Sequence, residues 1–158
     1  MAELQAPDAG AAGHPPVNAA TLVYVLFAIA VIGALAAHGL IVFAPLVGLA
    51  GIVGVIIAYV KRGDAHGTWV ASHFTWLIRT FWWSWLWGGL VLAAMLWVIV
   101  PNAMQVAELT RTGNVFAVPW SILAAGAGGG IGLAIVWFWT AYRLTRGILR
   151  LSDGRSVP

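Results

Sequence analysis

Four stretches of this chain, residues 21–37, 40–60, 80–100 and 118–142, contain no Asp, Glu, Lys or Arg. Such runs constrain the fold strongly, because about 20 consecutive apolar residues in a helix match the roughly 30 Å hydrocarbon layer of a bilayer. At about 1.5 Å per residue the four extend about 25 to 37 Å, the last being long enough to tilt or protrude. Strands of a membrane barrel would instead be segments of about ten residues alternating in polarity. Composition agrees: with 61% of its 158 residues apolar and only 8% charged, the chain lacks the polar surface to cover a water-soluble domain of this size. The fold class expected is all-α, an integral membrane four-helix bundle.

Punctuation between the runs fits that reading. Residues 1–18 are rich in Ala, Gly and Pro, with two acids, no Lys or Arg and no apolar periodicity, which predicts a disordered tail. No Lys or Arg precedes Lys61, so the first run lacks the basic flank of a secretory signal. Ala37-His38-Gly39 reads as a tight turn between the first two helices, with Pro45 either in a first turn or marking a later helix start. Pro101-Asn102 ends the third run and Val118-Pro119 precedes the fourth. The expected division is a tail over 1–18, a transmembrane domain over 19–142 and a basic tail over 143–158. Lys61, Arg62, Arg79, Arg143, Arg146, Arg150 and Arg155 then fall on one side of the membrane and only Arg111 on the other. By the positive-inside rule both termini are cytoplasmic, which suits a bacterial inner membrane. The net charge of +3 is therefore a topology signal and does not imply nucleic acid.

The segment from Lys61 to Trp83 holds most of the remaining polar side chains. Helical from about Thr68, it aligns Trp69, Ser72 or His73, Trp76, and Arg79 or Thr80 along one stripe, which predicts an interfacial amphipathic helix running into the third span. Asp64, His66, His73 and Arg79 form the candidate interfacial polar cluster. The plainer reading is an aromatic belt at headgroup level whose Ser, His and Thr side chains satisfy one another or the backbone. Lys61, Arg62, Arg143, Arg146 and Arg150 are candidate contacts to lipid headgroups, the last three forming one face of a helical extension of the fourth span. His66 and His73 lie about 10.5 Å apart along a helix, too far to share a metal held at about 2.1 Å, so neither a metal nor a cofactor is expected.

Small residues recur at four-residue spacing, which lets helix backbones approach closely in lipid. Gly33, Gly48, Gly54, Gly128 and Gly132 are the predicted packing positions. Ionisable residues are missing from the interior of all four runs, which disfavours ion-coupled transport. The acids Glu3, Asp8, Asp64, Glu108 and Asp153 are scattered, with Glu108 and Arg111 suited to a local i,i+3 pair. With no cysteine either, no catalytic constellation is legible and an enzyme is not expected.

The run Ile57-Ala58-Tyr59-Val60-Lys61-Arg62, then Gly67-Thr68-Trp69, Ser72-His73-Phe74, Trp76, Ile78-Arg79-Thr80-Phe81-Trp82, and finally Tyr142-Arg143, Arg146-Gly147 and Leu151-Ser152-Asp153-Gly154-Arg155, resembles a family of small uncharacterised bacterial inner-membrane proteins. That family is distantly similar to a component of the chloroplast Tic import channel. The resemblance implies a four-helix inner-membrane protein and brings no catalytic residues. The function expected is a non-enzymatic structural or assembly component whose partners are membrane lipids and a second copy or another membrane protein. A translocation or channel subunit is the alternative, and a lipid-acting enzyme the third reading.

Overall fold

The computed structural model describes residues 16–36, 44–113 and 118–157. Among them every regular element is helical: α1 over Val17–Ala36, α2 over Ala44–Asp64, α3 over Val70–Ile99, a 3-10 turn over Val100–Asn102, α4 over Ala103–Thr112 and α5 over Trp120–Ser152. Three spans, Val17–Ala34, Val70–Gln105 and Trp120–Ser152, are long and apolar enough to cross a membrane. Prolines set the starts. Pro16 precedes α1 and its carbonyl accepts from Ala20 N–H, Pro45 sits in the first turn of α2, and the Pro119 carbonyl accepts from Ile122 and Leu123 at the head of α5. The end of α5 is a Schellman turn: Gly154 adopts φ +65°, its N–H donates to Leu151 O at 3.2 Å, and Arg155 N–H donates to Arg150 O at 2.9 Å. Only a residue that tolerates positive φ turns the chain back there.

The helices pack as antiparallel neighbours, α1 with α2 and with α5, and α3 with α5 and with α2. The large buried side chains gather at one end. Val23, Tyr24 and Phe27 of α1, Val55 and Ala58 of α2, Val70, Phe74, Leu77 and Phe81 of α3, and Leu144 and Leu151 of α5 form the buried core. Further along, Ile32, Trp83, Trp87, Leu92, Trp97, Ile131 and Ile135 are exposed, an apolar exterior that only lipid suits. Exposed Trp82 and Trp97 are about 22 Å apart along α3 and Trp139 and Trp120 about 28 Å apart along α5, close to the roughly 30 Å thickness of a bilayer's hydrocarbon layer.

Several sequence expectations shift. No separate interfacial helix exists between the second and third spans: after the turn at Ala65–Trp69, where Gly67 takes φ +78°, α3 runs unbroken from Val70. Nothing in Val70–Phe81 breaks a helix, and residues 70, 74, 77, 78 and 81 are buried, so this part is core and not a surface-lying segment. The predicted tail 1–18 ends two residues early, since Val17 and Asn18 are helical; residues 1–15 and the turn at 37–39 lie outside the described residues. Of the expected run at 40–60, residues 44–60 lie in α2 and residues 40–43 lie outside the described residues, and the segment after Pro101 contains α4, within which Arg111 and Glu108 pair at 2.9 Å.

Of the predicted packing glycines, a Cβ at Gly54 would meet the Phe27 ring at 3.0 Å and one at Gly132 would meet Val91 at 3.1 Å, so both are close helix contacts. Gly48 and Gly128 face open space, and Gly33 is half-buried on α1. The tightest approaches on α5 are at Gly129, against Met95, and Gly147, against the Tyr24 ring. The difference arises because 126, 128, 129, 130 and 132 are all glycine, so spacing alone does not choose the face. Gly147→Ala is expected to cost about 1–3 kcal/mol by forcing Tyr24 aside, lowering the thermal midpoint in detergent by several degrees, whereas Gly128→Ala leaves it within about a degree.

Candidate functional site

The packed end carries a polar system on α1, α3, α5 and the residues after α5. His73, in the first turn of α3, is fully buried. Its Nε2 lies 2.9 Å from Arg155 O and its Nδ1 2.9 Å from Tyr24 Oη. A carbonyl only accepts, so Nε2 carries the proton; in the neutral ring Nδ1 accepts, and the Tyr24 hydroxyl donates. Trp69 and Tyr24 meet the imidazole edge to face, with centroids at 5.6 and 5.9 Å. Beside it the Ser72 hydroxyl donates to Trp69 O at 2.8 Å and accepts from Val157 N–H at 3.0 Å. The chain after the Schellman turn is thus held by the first turn of α3, and Val157 is buried there.

Two turns along α3 a second knot forms around Arg143. Its Nε–H donates to Thr80 Oγ1 at 2.8 Å, Thr80 donates to Trp76 O at 2.7 Å, and Trp76 Nε1–H donates to Arg143 O at 3.2 Å. The guanidinium carbon stands 3.6 Å from the Trp76 ring centroid and 5.0 Å from that of Trp139. No carboxylate pairs with it among the described residues. Arg79 and Arg146 lie near enough for their charges to bear on it. One turn deeper the Ser84 and Thr140 hydroxyls meet at 2.8 Å, and Trp137 Nε1–H donates to Val31 O at 2.7 Å, tying α5 to α1. A hollow of about 300 Å³ opens next to this knot, lined by Arg62, His66, Ser72, Thr75, Trp76 and Arg79 among others, with no acid on its wall.

The polar cluster anticipated from sequence is therefore split. His66 and Arg79 share the hollow with Arg62. Asp64 is exposed and paired with Lys61 at 2.8 Å, and His73 faces the core with both nitrogens engaged. Among the anticipated headgroup contacts, Arg143 is turned inward to Thr80, Arg146 donates to Tyr142 Oη at 3.3 Å, and Arg150 donates to Ser156 O at 3.0 Å. Sequence reasoning missed Tyr24, Trp139, Arg155 and Val157. The available signal was the spacing of His73, Trp76, Thr80 and Ser84 at i, i+3, i+7 and i+11, one face of α3 that turns out to point inward. No three potential metal ligands gather among the described residues.

Chemically, the imidazole has no free lone pair for proton abstraction, while the arginines retain N–H donors suited to an anion. Comparison with family models, curated proteins and solved structures finds no match. Replacing His73 by Phe keeps the ring volume but strands the Tyr24 hydroxyl and the Arg155 carbonyl, a loss of about 2–4 kcal/mol. Limited digestion with a broad-specificity endoprotease is then expected to cut the variant within residues 154–157 much faster than the parent, while Thr75→Val, which removes a hydroxyl bonded only to Ala71 O, leaves cutting unchanged.

Proposed function

We propose that this protein is a non-enzymatic structural or assembly component of a bacterial inner membrane, built as four membrane-crossing helices with both termini in the cytoplasm. The observation that carries the reading is the use to which the polar side chains are put: His73, Tyr24, Ser72, Thr80, Ser84 and Thr140 bond to one another, to the backbone or to Arg143, holding helices and tail together. A scaffold for association in lipid needs that kind of fixed end, with an apolar exterior left for lipid and neighbours. Chain direction supports a fourth crossing. The start of α1 and the start of α3 meet at the Tyr24–His73 bond, so if both helices cross, the chain between them has to return. The 21 residues of α2, about 31 Å long, lie antiparallel along α1, with Gly54 against Phe27 and Gly51 against Ala30. The motif likeness to small inner-membrane proteins points the same way, and its distant link to an import channel keeps translocation as the second reading.

Reporter fusions test the topology: a reporter active only in the cytoplasm is expected to work at Val157 and to be silent at Gly113, and the reverse pattern overturns the orientation. Gentle detergent extraction followed by identification of what co-purifies tests the role. Self-association or one defined membrane partner is expected, whereas ion flux through purified protein in liposomes favours the channel reading and phospholipid turnover the enzymatic one.

A further inference from the structure

The α3/α5 seam carries two unexplained features that adjoin. The first is the guanidinium of Arg143, flanked by the charges of Arg79 and Arg146 and, among the described residues, by no carboxylate. Three like charges on two neighbouring helices repel one another, and a structure that fixes one of them against two indoles keeps it ready for an anion. Thr80 takes only the Nε–H of Arg143, so the terminal N–H groups, which form the fork that matches a phosphate, are not used by that bond. The second is an apolar groove of about 340 Å³ on the same seam, lined by Trp87, Val91, Gly132, Ile135, Val136 and Trp139.

Trp139 belongs to both, since its ring lines the groove and also carries the guanidinium. On α5 the positions Arg143, Trp139, Val136 and Gly132 follow at four-, three- and four-residue steps, one continuous stripe about 16 Å long from the cation to the far end of the groove. A glycine at that far end, with Val91 opposite, leaves the groove its depth. A charged pole at headgroup level and an apolar channel leading into the bilayer from it are the two halves of a phospholipid site.

We propose that the α3/α5 seam binds one anionic phospholipid, its phosphate held by Arg143 with Arg79 and Arg146, and one acyl chain laid along the groove from Trp139 to Gly132. The inference rests on the membrane reading above but not on its topology or on any assembly role. Trp76 and Trp139 keep the Arg143 fork in place, and Arg79 joins the site to the cationic hollow beyond Trp76. The preference for an anionic headgroup comes from the uncompensated positive charge, and the preference for a long chain from the groove.

The test is native mass spectrometry of the full-length protein in detergent, titrated separately with phosphatidylglycerol, phosphatidylcholine, short-chain dihexanoyl phosphatidylglycerol and inorganic phosphate. One phosphatidylglycerol is expected to be retained about tenfold more strongly than phosphatidylcholine, with Arg146→Gln removing most of that preference. Ile135→Trp fills the groove from an exposed position without touching the helix contact, and is expected to abolish retention of the long-chain lipid while sparing the short-chain one. Equal retention of both headgroups, or no effect of Arg146→Gln combined with Arg79→Gln, overturns the headgroup site. Inorganic phosphate binding as strongly as the lipid, with Ile135→Trp silent, overturns the lipid in favour of a free-anion site. Reporter topology is read separately, so its failure and the failure of the lipid site are distinguishable.

Discussion

His73 shares its two ring nitrogens between the hydroxyl of Tyr24 on α1 and the carbonyl of Arg155 beyond α5, and so joins segments that are 49 and 82 residues away from it. In a bilayer such bonds carry particular weight. Lipid tails are as apolar as the helices, so no hydrophobic drive pulls the helices together, and association relies on close packing and on hydrogen bonds between them. The core of this protein is accordingly gathered around the imidazole, with Tyr24, Val70, Phe74 and Leu77 all sealed from solvent. Gly147 lets the Tyr24 ring approach α5, and the Schellman turn at Gly154 delivers the Arg155 carbonyl.

Moving from that ring along α3 and back along α5, the polar contacts continue as a series: Arg143 with Thr80 and Trp76, then Ser84 with Thr140, then the Trp137 indole with Val31 O. Each hydroxyl also bonds a carbonyl one turn back on its own helix, as Thr80 does to Trp76, Ser84 to Thr80 and Thr140 to Val136. That satisfies these groups wherever lipid replaces water, and lets neighbouring helices share polar contacts without exposing any of them. Beyond this series the helices meet through small residues, Gly129 with Met95 and Gly132 with Val91.

Much of the helical order was legible because charge scarcity, proline position and run length are local properties. Pro119 marks the head of α5 and Lys61-Arg62 the end of α2 within a few residues, whereas α3 starts at Val70, well before Arg79, and α5 runs past Arg143 to Ser152; Gly54 and Gly132 were identified as contacts from spacing alone. What escaped was the choice of face. His73, Trp76 and Thr80 form a stripe in any helix, but whether it meets headgroups or Tyr24 depends on α1, which is distant in sequence. Arg143 looked like another member of a basic face, since nothing local reveals the Thr80 hydroxyl and the two indoles waiting for it. In the run from Gly126 to Gly132 glycines fall on several faces, so the choice of Gly129 over Gly128 is made by Met95. The α4 helix was missed because its ten residues carry no run of apolar character.

The bond from His73 to the Arg155 carbonyl also imposes an order in time. During synthesis α3 forms before residues 155–157 exist, so its first turn waits with the Nε2–H of His73 unmatched and the Ser72 hydroxyl bonded only to Trp69 O. Only when the chain beyond α5 has folded back does the ring gain the Arg155 carbonyl. Insertion and locking are thereby separate events, and a chain halted within α5 would sit in the membrane with its helices placed but its clasp open.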